Sequence, residues 1–129
     1  MQIKFSNGVT VDVLNVNGSS RYFQGANRDS LEIQIAREAI DFEGLEELTA
    51  DSSNTKKLVV IDGDTEYVHD GYSLRAELSV RPIRTGEETT DTPASYEERI
   101  CVVLAQKTYA EKELESLRET VDALVLSAL

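Results

Sequence analysis

Residues 56–83, KKLVVIDGDTEYVHDGYSLRAELSVRPI, decide the fold class that the sequence predicts. Apolar runs lie on both sides of Asp62-Gly63, a dipeptide typical of a tight hairpin turn. The second half of the stretch predicts one long strand with one face buried and the other meeting water, as in many antiparallel sheets. The expected inward face comprises Tyr72, Leu74, Ala76, Leu78 and Val80, and the outward face Ser73, Arg75, Glu77, Ser79 and Arg81.

A second hairpin is predicted nearer the start, in residues 3–16, IKFSNGVTVDVLNV. Its Asn7-Gly8 dipeptide is expected to supply the two positive-φ positions that a type I′ turn requires. Residues 15–30 predict a turn-rich connection with a short strand at 21–23. Residues 30–36, SLEIQIA, alternate again and predict a further strand.

The apolar period changes in residues 40–54, IDFEGLEELTADSSN. Phe42, Leu45 and Leu48 lie three residues apart, and Asp41 is a residue type that caps helix starts. The sequence therefore predicts one short helix near 41–50, embedded among the strands.

The next segments complete the predicted β domain. Residues 84–95, RTGEETTDTPAS, are polar and contain Gly and Pro, which predicts an exposed loop. Residues 96–106, YEERICVVLAQ, return to a strand pattern. With seven or eight strands, residues 1–106 are predicted to be mainly β (α+β). The two architectures left open are an antiparallel β-sandwich and a partly open barrel.

Residues 107–129, KTYAEKELESLRETVDALVLSAL, predict a C-terminal heptad helix. Thr108 and Glu111 form a capping-box pattern, so the helix should begin close to Thr108 and run for about 20 residues. Apolar residues follow at alternating intervals of four and three, the 3.5-residue period of a coiled coil. These seam residues, assigned to oligomerisation, are Ala110, Leu114, Leu117, Val121, Leu124 and Ala128.

The flanks of this heptad favour a parallel partner. Glu113 falls at a g position and Arg118 at the following e position, where opposite charges meet between parallel helices. The sequence thus predicts a homo-oligomer, a dimer or a trimer. The alternative is that the helix folds back on its own sheet, which the extra apolar residues Val125, Leu126 and Leu129 would suit.

Composition narrows the classes of partner. The chain of 129 residues has a net charge of −11, which argues against nucleic acid and anionic membrane surfaces. One cysteine permits no internal disulfide, which is compatible with a reducing cytoplasm. The sequence predicts neither a signal peptide nor a membrane-spanning helix.

No catalytic, metal or cofactor site is predicted. His69 is the only histidine and Cys101 the only cysteine, too few for a His- and Cys-based zinc site. Asp62, Asp64 and Glu66 alternate like the start of a calcium loop, but the rest of that pattern is missing and a hairpin turn explains them. We therefore expect a protein that is not an enzyme.

One polar cluster remains as a candidate binding loop. In QGANRDS its residues are Gln24, Asn27, Arg28 and Asp29. Together with residues 84–95 it supports an alternative function, a binding module for a saccharide or a protein. A loop that only satisfies its own turn hydrogen bonds is the competing interpretation.

The layout resembles a class of phage proteins. A strand-rich chain that opens MQIKFSNG, contains NGSSRYFQGANRDSLEI and DGDTEYVHDGYSLRAELSV, and closes AQKTYAEKELESLRE is similar to small virion-associated proteins. Such proteins are encoded among the tail and baseplate genes of phages and prophages of Gram-positive bacteria. The resemblance implies a non-enzymatic structural or adaptor role with other virion proteins as partners. It also implies a bacterial cytoplasmic location during assembly and a place in the virion afterwards.

Overall fold

The computed structural model describes residues 1–128, which form two four-stranded antiparallel sheets and three helices. One sheet has the order β2-β1-β5-β6 and the other β3-β4-β8-β7. The strand pairs stay within each sheet, so the mainly β prediction is confirmed as a sandwich and not as a barrel. The elements are β1 (Gln2–Lys4), β2 (Thr10–Asp12), β3 (Asn15–Phe23), β4 (Ala26–Ala36), α1 (Phe42–Ala50), α2 (Ser52–Thr55), β5 (Lys57–Asp62), β6 (Thr65–Asp70), β7 (Leu74–Gly86), β8 (Ser95–Ala105) and α3 (Tyr109–Ala128).

The core lies between the facing sides of the two sheets. Alternate residues of β4 and β8 point to the same side, because Ile33 pairs with Val102 and Ile35 with Ile100. Helix α1 adds Leu45 and Leu48 to this core. The buried apolar cluster consists of Ile3, Phe5, Val11, Val13, Leu31, Ile33, Ile35, Leu45, Leu48, Leu58, Val60, Ile100, Val102 and Leu104.

The first hairpin lacks the predicted turn type, and a two-residue turn that was not predicted joins β3 to β4. At Asn7-Gly8 only Gly8 has a positive φ, and Gly8 N–H donates to the Phe5 carbonyl, so the predicted type I′ turn is wrong there. Gln24 and Gly25 both have positive φ and directly join β3 to β4, the arrangement of a type I′ turn. Residues 15–30 are therefore a long hairpin and not a turn-rich connection.

Strand β7 departs from its predicted faces before Glu77 and keeps them after it, where Leu78 pairs with Val102. A bulge between Arg75 and Glu77 changes the register, so that Leu74 pairs with Ala105 and Arg75 with the inward-facing Leu104. Leu74 thus turns outward and Arg75 inward, opposite to the simple alternation. The Arg75 guanidinium donates a hydrogen bond to the carbonyl of Glu46 on α1, so the inward-turned charge has a polar partner at the edge of the core.

The connecting segments follow the prediction in outline. Helix α1 forms after Asp41, although the Asp41 side chain makes no capping hydrogen bond. A second helix, α2, was not predicted, and the Asp51 carboxylate caps it by accepting from the Ser53 N–H. The polar loop between β7 and β8 is shorter than predicted, at residues 87–94, because both strands extend into the 84–95 segment.

Candidate oligomerisation helix and its anchor

Helix α3 begins where the capping box predicts. Thr108 N–H donates to a Glu111 carboxylate oxygen at 2.9 Å, and Glu111 N–H donates to the Thr108 hydroxyl at 3.3 Å. These reciprocal bonds satisfy backbone donors that the first helical turn leaves unpaired. The helix runs over 20 residues, from Tyr109 to Ala128.

Every described residue of α3 after its first turn is exposed. None of its residues is buried, and Leu117 and Leu124 are 60% and 63% exposed. The predicted seam residues from Ala110 to Ala128 therefore lie together on an uncovered helix face. Within residues 1–128 the helix does not fold back on the sandwich, and Leu129 lies outside the described residues.

The two predicted flanking charges also lack a partner in the described chain. Glu113 and Arg118 are exposed, and neither belongs to an ion pair among residues 1–128. Their spacing is that of g and following e positions, which meet only between helices. Both charges remain available to a neighbouring helix.

The helix is fixed to the sandwich by a buried arginine, Arg28. Its side chain is fully buried, and its guanidinium makes a two-pronged ion pair with the Glu111 carboxylate, with Nη2 2.9 Å from Oε2. The same guanidinium donates to the carbonyls of Phe23 at 2.7 Å and of Gln24 and Gln106 at 3.2 Å. One side chain thus joins the β3–β4 turn, the end of β8 and the start of α3.

Electrostatics at this anchor favour the charged carboxylate. The pKa of Glu111 is lowered to about 2, first by the hydrogen bond from Arg28 and next by the Thr108 backbone N–H. The pKa of Arg28 is raised in return, chiefly by the hydrogen bond to Glu111. The pair therefore stays ionised at any neutral or mildly acidic pH.

Further bonds hold the three residues between β8 and α3. Gln106 N–H donates to the Asp29 carbonyl at 2.9 Å, and the Gln106 side-chain amide donates to the Asp70 carbonyl at 2.8 Å. Lys107 pairs with Glu115 at 2.7 Å, one turn beyond the cap. The helix thus leaves the sandwich through a bonded junction, which sets its direction.

The structure divides the candidate binding loop into different roles. Gln24 belongs to the two-residue turn, whereas Asn27, Arg28 and Asp29 lie in strand β4. Gln24, Asn27 and Asp29 are exposed, but the Arg28 side chain is used by the anchor. Sequence reasoning placed Arg28 in a possible binding loop and missed its role in the anchor, because its partner Glu111 is 83 residues away.

The other residues weighed for chemistry lie apart from α3. His69 is in β6, half-buried, with its ring 6.0 Å from that of Tyr72. Cys101 is buried in β8, and burial raises the pKa of its thiol. Asp62 ends β5 and pairs with Thr65, so it belongs to the hairpin turn, as predicted. Among residues 1–128, no three His, Cys, Asp or Glu side chains are grouped to hold a metal ion.

Over residues 1–128, no helix combines the length and apolar character needed to cross a bilayer.

Comparison with known proteins gives no relative. The chain matches no protein-family model, no curated protein and no solved structure.

Proposed function

We propose that this protein is a non-enzymatic structural or adaptor component of a phage or prophage particle, in the tail or baseplate region, and that it oligomerises through α3. The observation that supports oligomerisation is the exposed heptad face of α3, which no other residue of 1–128 covers. The place in a particle is supported by the resemblance in sequence layout to small virion-associated proteins.

The exposure of this face supports the proposal of a partner. Leu114, Leu117 and Leu124 leave most of their surface in water, and burying a leucine side chain gains about 1.5–3 kcal/mol. An isolated helix of 20 residues is only marginally stable in water, so a second helix on the seam would also stabilise α3 itself.

The anchor supports a parallel arrangement of copies. Arg28 and Glu111 fix the start of α3 to the sandwich, so helices that align at their first turns bring their β domains side by side. In that register Glu113 of one chain meets Arg118 of the next. An antiparallel pair would not bring these two charges together in this way.

A truncation that respects the anchor tests the oligomer. Removing all of 108–129 would leave Arg28 buried without Glu111, so the better variant ends at Ser116 and keeps both Glu111 and Glu115. We expect this variant to be a folded monomer by circular dichroism and sedimentation, while the full chain is a dimer or trimer. An unchanged mass would show that α3 is not the interface, and an aggregating sandwich would show that α3 covers it.

The place in a particle has its own test. Particles purified after induction of a host whose prophage encodes this chain should contain it by mass spectrometry, in numbers that are multiples of the oligomer. Its absence from purified particles, despite expression in the cell, would contradict the structural role.

A further inference from the structure

An open cleft of about 370 Å³ lies between the two sheets, away from α3. Its floor is aliphatic and includes Leu31 of β4 and Val60 of β5. Its walls carry Tyr67, His69 and Tyr72, and the rings of His69 and Tyr72 stand at 76° to each other. The size and the mixture of aliphatic floor and aromatic wall are those of a small-molecule site.

The cleft exists because β3 contributes only Val16 and Gly18 to its lining. Tyr67 pairs with Val60 on the inward face of its sheet, yet it remains 54% exposed. Opposite it, Gly18 pairs with Leu31, and a Cβ built on Gly18 would meet nothing within 4 Å. A larger residue at this position would fill the space that separates the two sheets.

The side chains that line the cleft carry one charge, and it is negative. It is the exposed Asp62 carboxylate at the rim; no lysine or arginine is among the described residues of the lining, and the α-amino group of Met1 lies there too. Asp62 belongs to no ion pair among residues 1–128. The pKa of Tyr72 is raised by burial and further by the Asp29 carboxylate, which brings a second negative charge near this wall.

The tyrosine ring faces add to the negative electrostatic potential of these carboxylates. The ring face of a tyrosine is the negative end of its quadrupole and attracts cations, most strongly when water is excluded. A ligand for this cleft therefore needs an apolar body for the floor at Leu31 and Val60. It also needs a positive charge for the rings of Tyr67 and Tyr72 and for Asp62.

We propose that this cleft binds a small organic cation with an apolar body, of the quaternary-ammonium class. The N-methyl groups pack on the aliphatic floor, the tyrosine rings face the cation, and Asp62 is the counter-ion. An anionic ligand is disfavoured by Asp62 and by the net charge of −11. This site is independent of oligomerisation, because none of the residues that line it belongs to α3.

The test compares two ligands of the same shape. Choline and its uncharged isostere 3,3-dimethylbutan-1-ol are titrated into the full chain, and amide and aromatic NMR shifts are followed. We expect saturable shifts at Tyr67 and Tyr72 with choline, and affinity about tenfold lower for the isostere. Equal affinity for the two compounds would overturn the proposal, as would the absence of saturable shifts with choline. Tighter binding of methyl β-glucoside would replace it with a sugar site.

Matched variants locate the binding. Gly18→Val should abolish the choline shifts, because its side chain occupies open space in a strand where Val is favoured and the fold is kept. Asp62→Asn should weaken binding about tenfold. Asp64→Asn, two residues further along the same turn, should leave the affinity unchanged. Tyr67→Ala should weaken binding, and Tyr96→Ala, at an exposed tyrosine of β8, is its control. Unchanged affinity in Gly18→Val, with the fold intact by circular dichroism, would place the ligand elsewhere.

Discussion

Strand β8 and helix α3 are neighbours in the chain and opposites in the way they use apolar residues. From Ile100 to Ala105 every residue of β8 is buried, and after three linking residues comes a helix in which none is. Both segments are rich in leucine and valine. The difference is that β8 has strands on both sides within its own sheet, whereas the apolar seam of α3 is uncovered within residues 1–128.

The junction between these two regions is held by specific hydrogen bonds and an ion pair. Arg28 and Glu111 connect the sandwich to the first turn of α3, and the capping box starts the helix at a defined residue. A helix that merely trailed from the domain would need no such anchor. The contrast therefore lies between a sandwich with a buried core and an exposed helix that, as we propose, packs against a second copy.

The largest expected effect comes from truncating one leucine in β8 and, for comparison, one leucine in α3. Leu104→Ala should lower the free energy of unfolding by about 2–5 kcal/mol, because it opens a cavity in the core. Leu117→Ala should change it by less than about 0.5 kcal/mol at concentrations where the chain is monomeric. Urea unfolding measures both. Similar losses would mean that α3 is packed on its own domain.

The second prediction concerns a substitution that removes the ion pair between the sandwich and α3. Arg28→Met should lower the melting temperature and the hydrogen-exchange protection of the first turn of α3. The reason is that the carbonyls of Phe23, Gln24 and Gln106 lose their donor. Arg37→Met is the control, since the Arg37–Glu98 pair is exposed and such pairs contribute little. If the two variants melt alike, Arg28 is not an anchor.

The third prediction concerns the pH range of the anchor. Because the pKa of Glu111 is lowered from 4.5 to about 2, its contribution to stability is complete above the ordinary carboxyl pKa and is lost as the pH falls toward 2. Carboxyl-carbon NMR should find the Glu111 midpoint near 2, and in Arg28→Met it should rise toward the ordinary value. A midpoint that Arg28→Met leaves unmoved would assign the shift to the helix cap alone.

Sequence reasoning succeeded where the signal is local. The start of α3 follows from Thr108 and Glu111, three residues apart, and the hairpin at Asp62 from an Asp-Gly dipeptide between two apolar runs. Strand β3 was missed over most of its length. It is an edge strand and half exposed, so its polar sequence NVNGSSRYF carries little apolar alternation.

The other errors have tertiary causes. The bulge that reverses Leu74 and Arg75 is decided by pairing with β8 and by the contact of Arg75 with α1, neither of which a strand pattern contains. Gly18 reads as a turn residue in the sequence and proves to be the reason for an open cleft. The seam residues of α3 were predicted from their spacing. Their exposure depends on where the sandwich lies, which the sequence left open.

The smallest expected effect concerns the partner's orientation. Glu113→Lys should weaken self-association, and Glu113→Lys with Arg118→Glu should restore it, each change being under about 1 kcal/mol per contact because the pair is exposed. Glu119→Lys, on the outer face of α3, should leave association unchanged. Sedimentation at several salt concentrations measures these shifts. If the double variant is as weak as the single one, the helices are not parallel.

The most direct test of the account is the mass of the full chain in solution. Sedimentation equilibrium up to the highest soluble concentration should give two or three times the 14.3-kDa chain mass. The double variant Leu117→Asp, Leu124→Asp should return to a single chain with an unchanged β-sheet spectrum. A full-length protein that stays at 14.3 kDa at every concentration would contradict the claim that α3 is an oligomerisation helix.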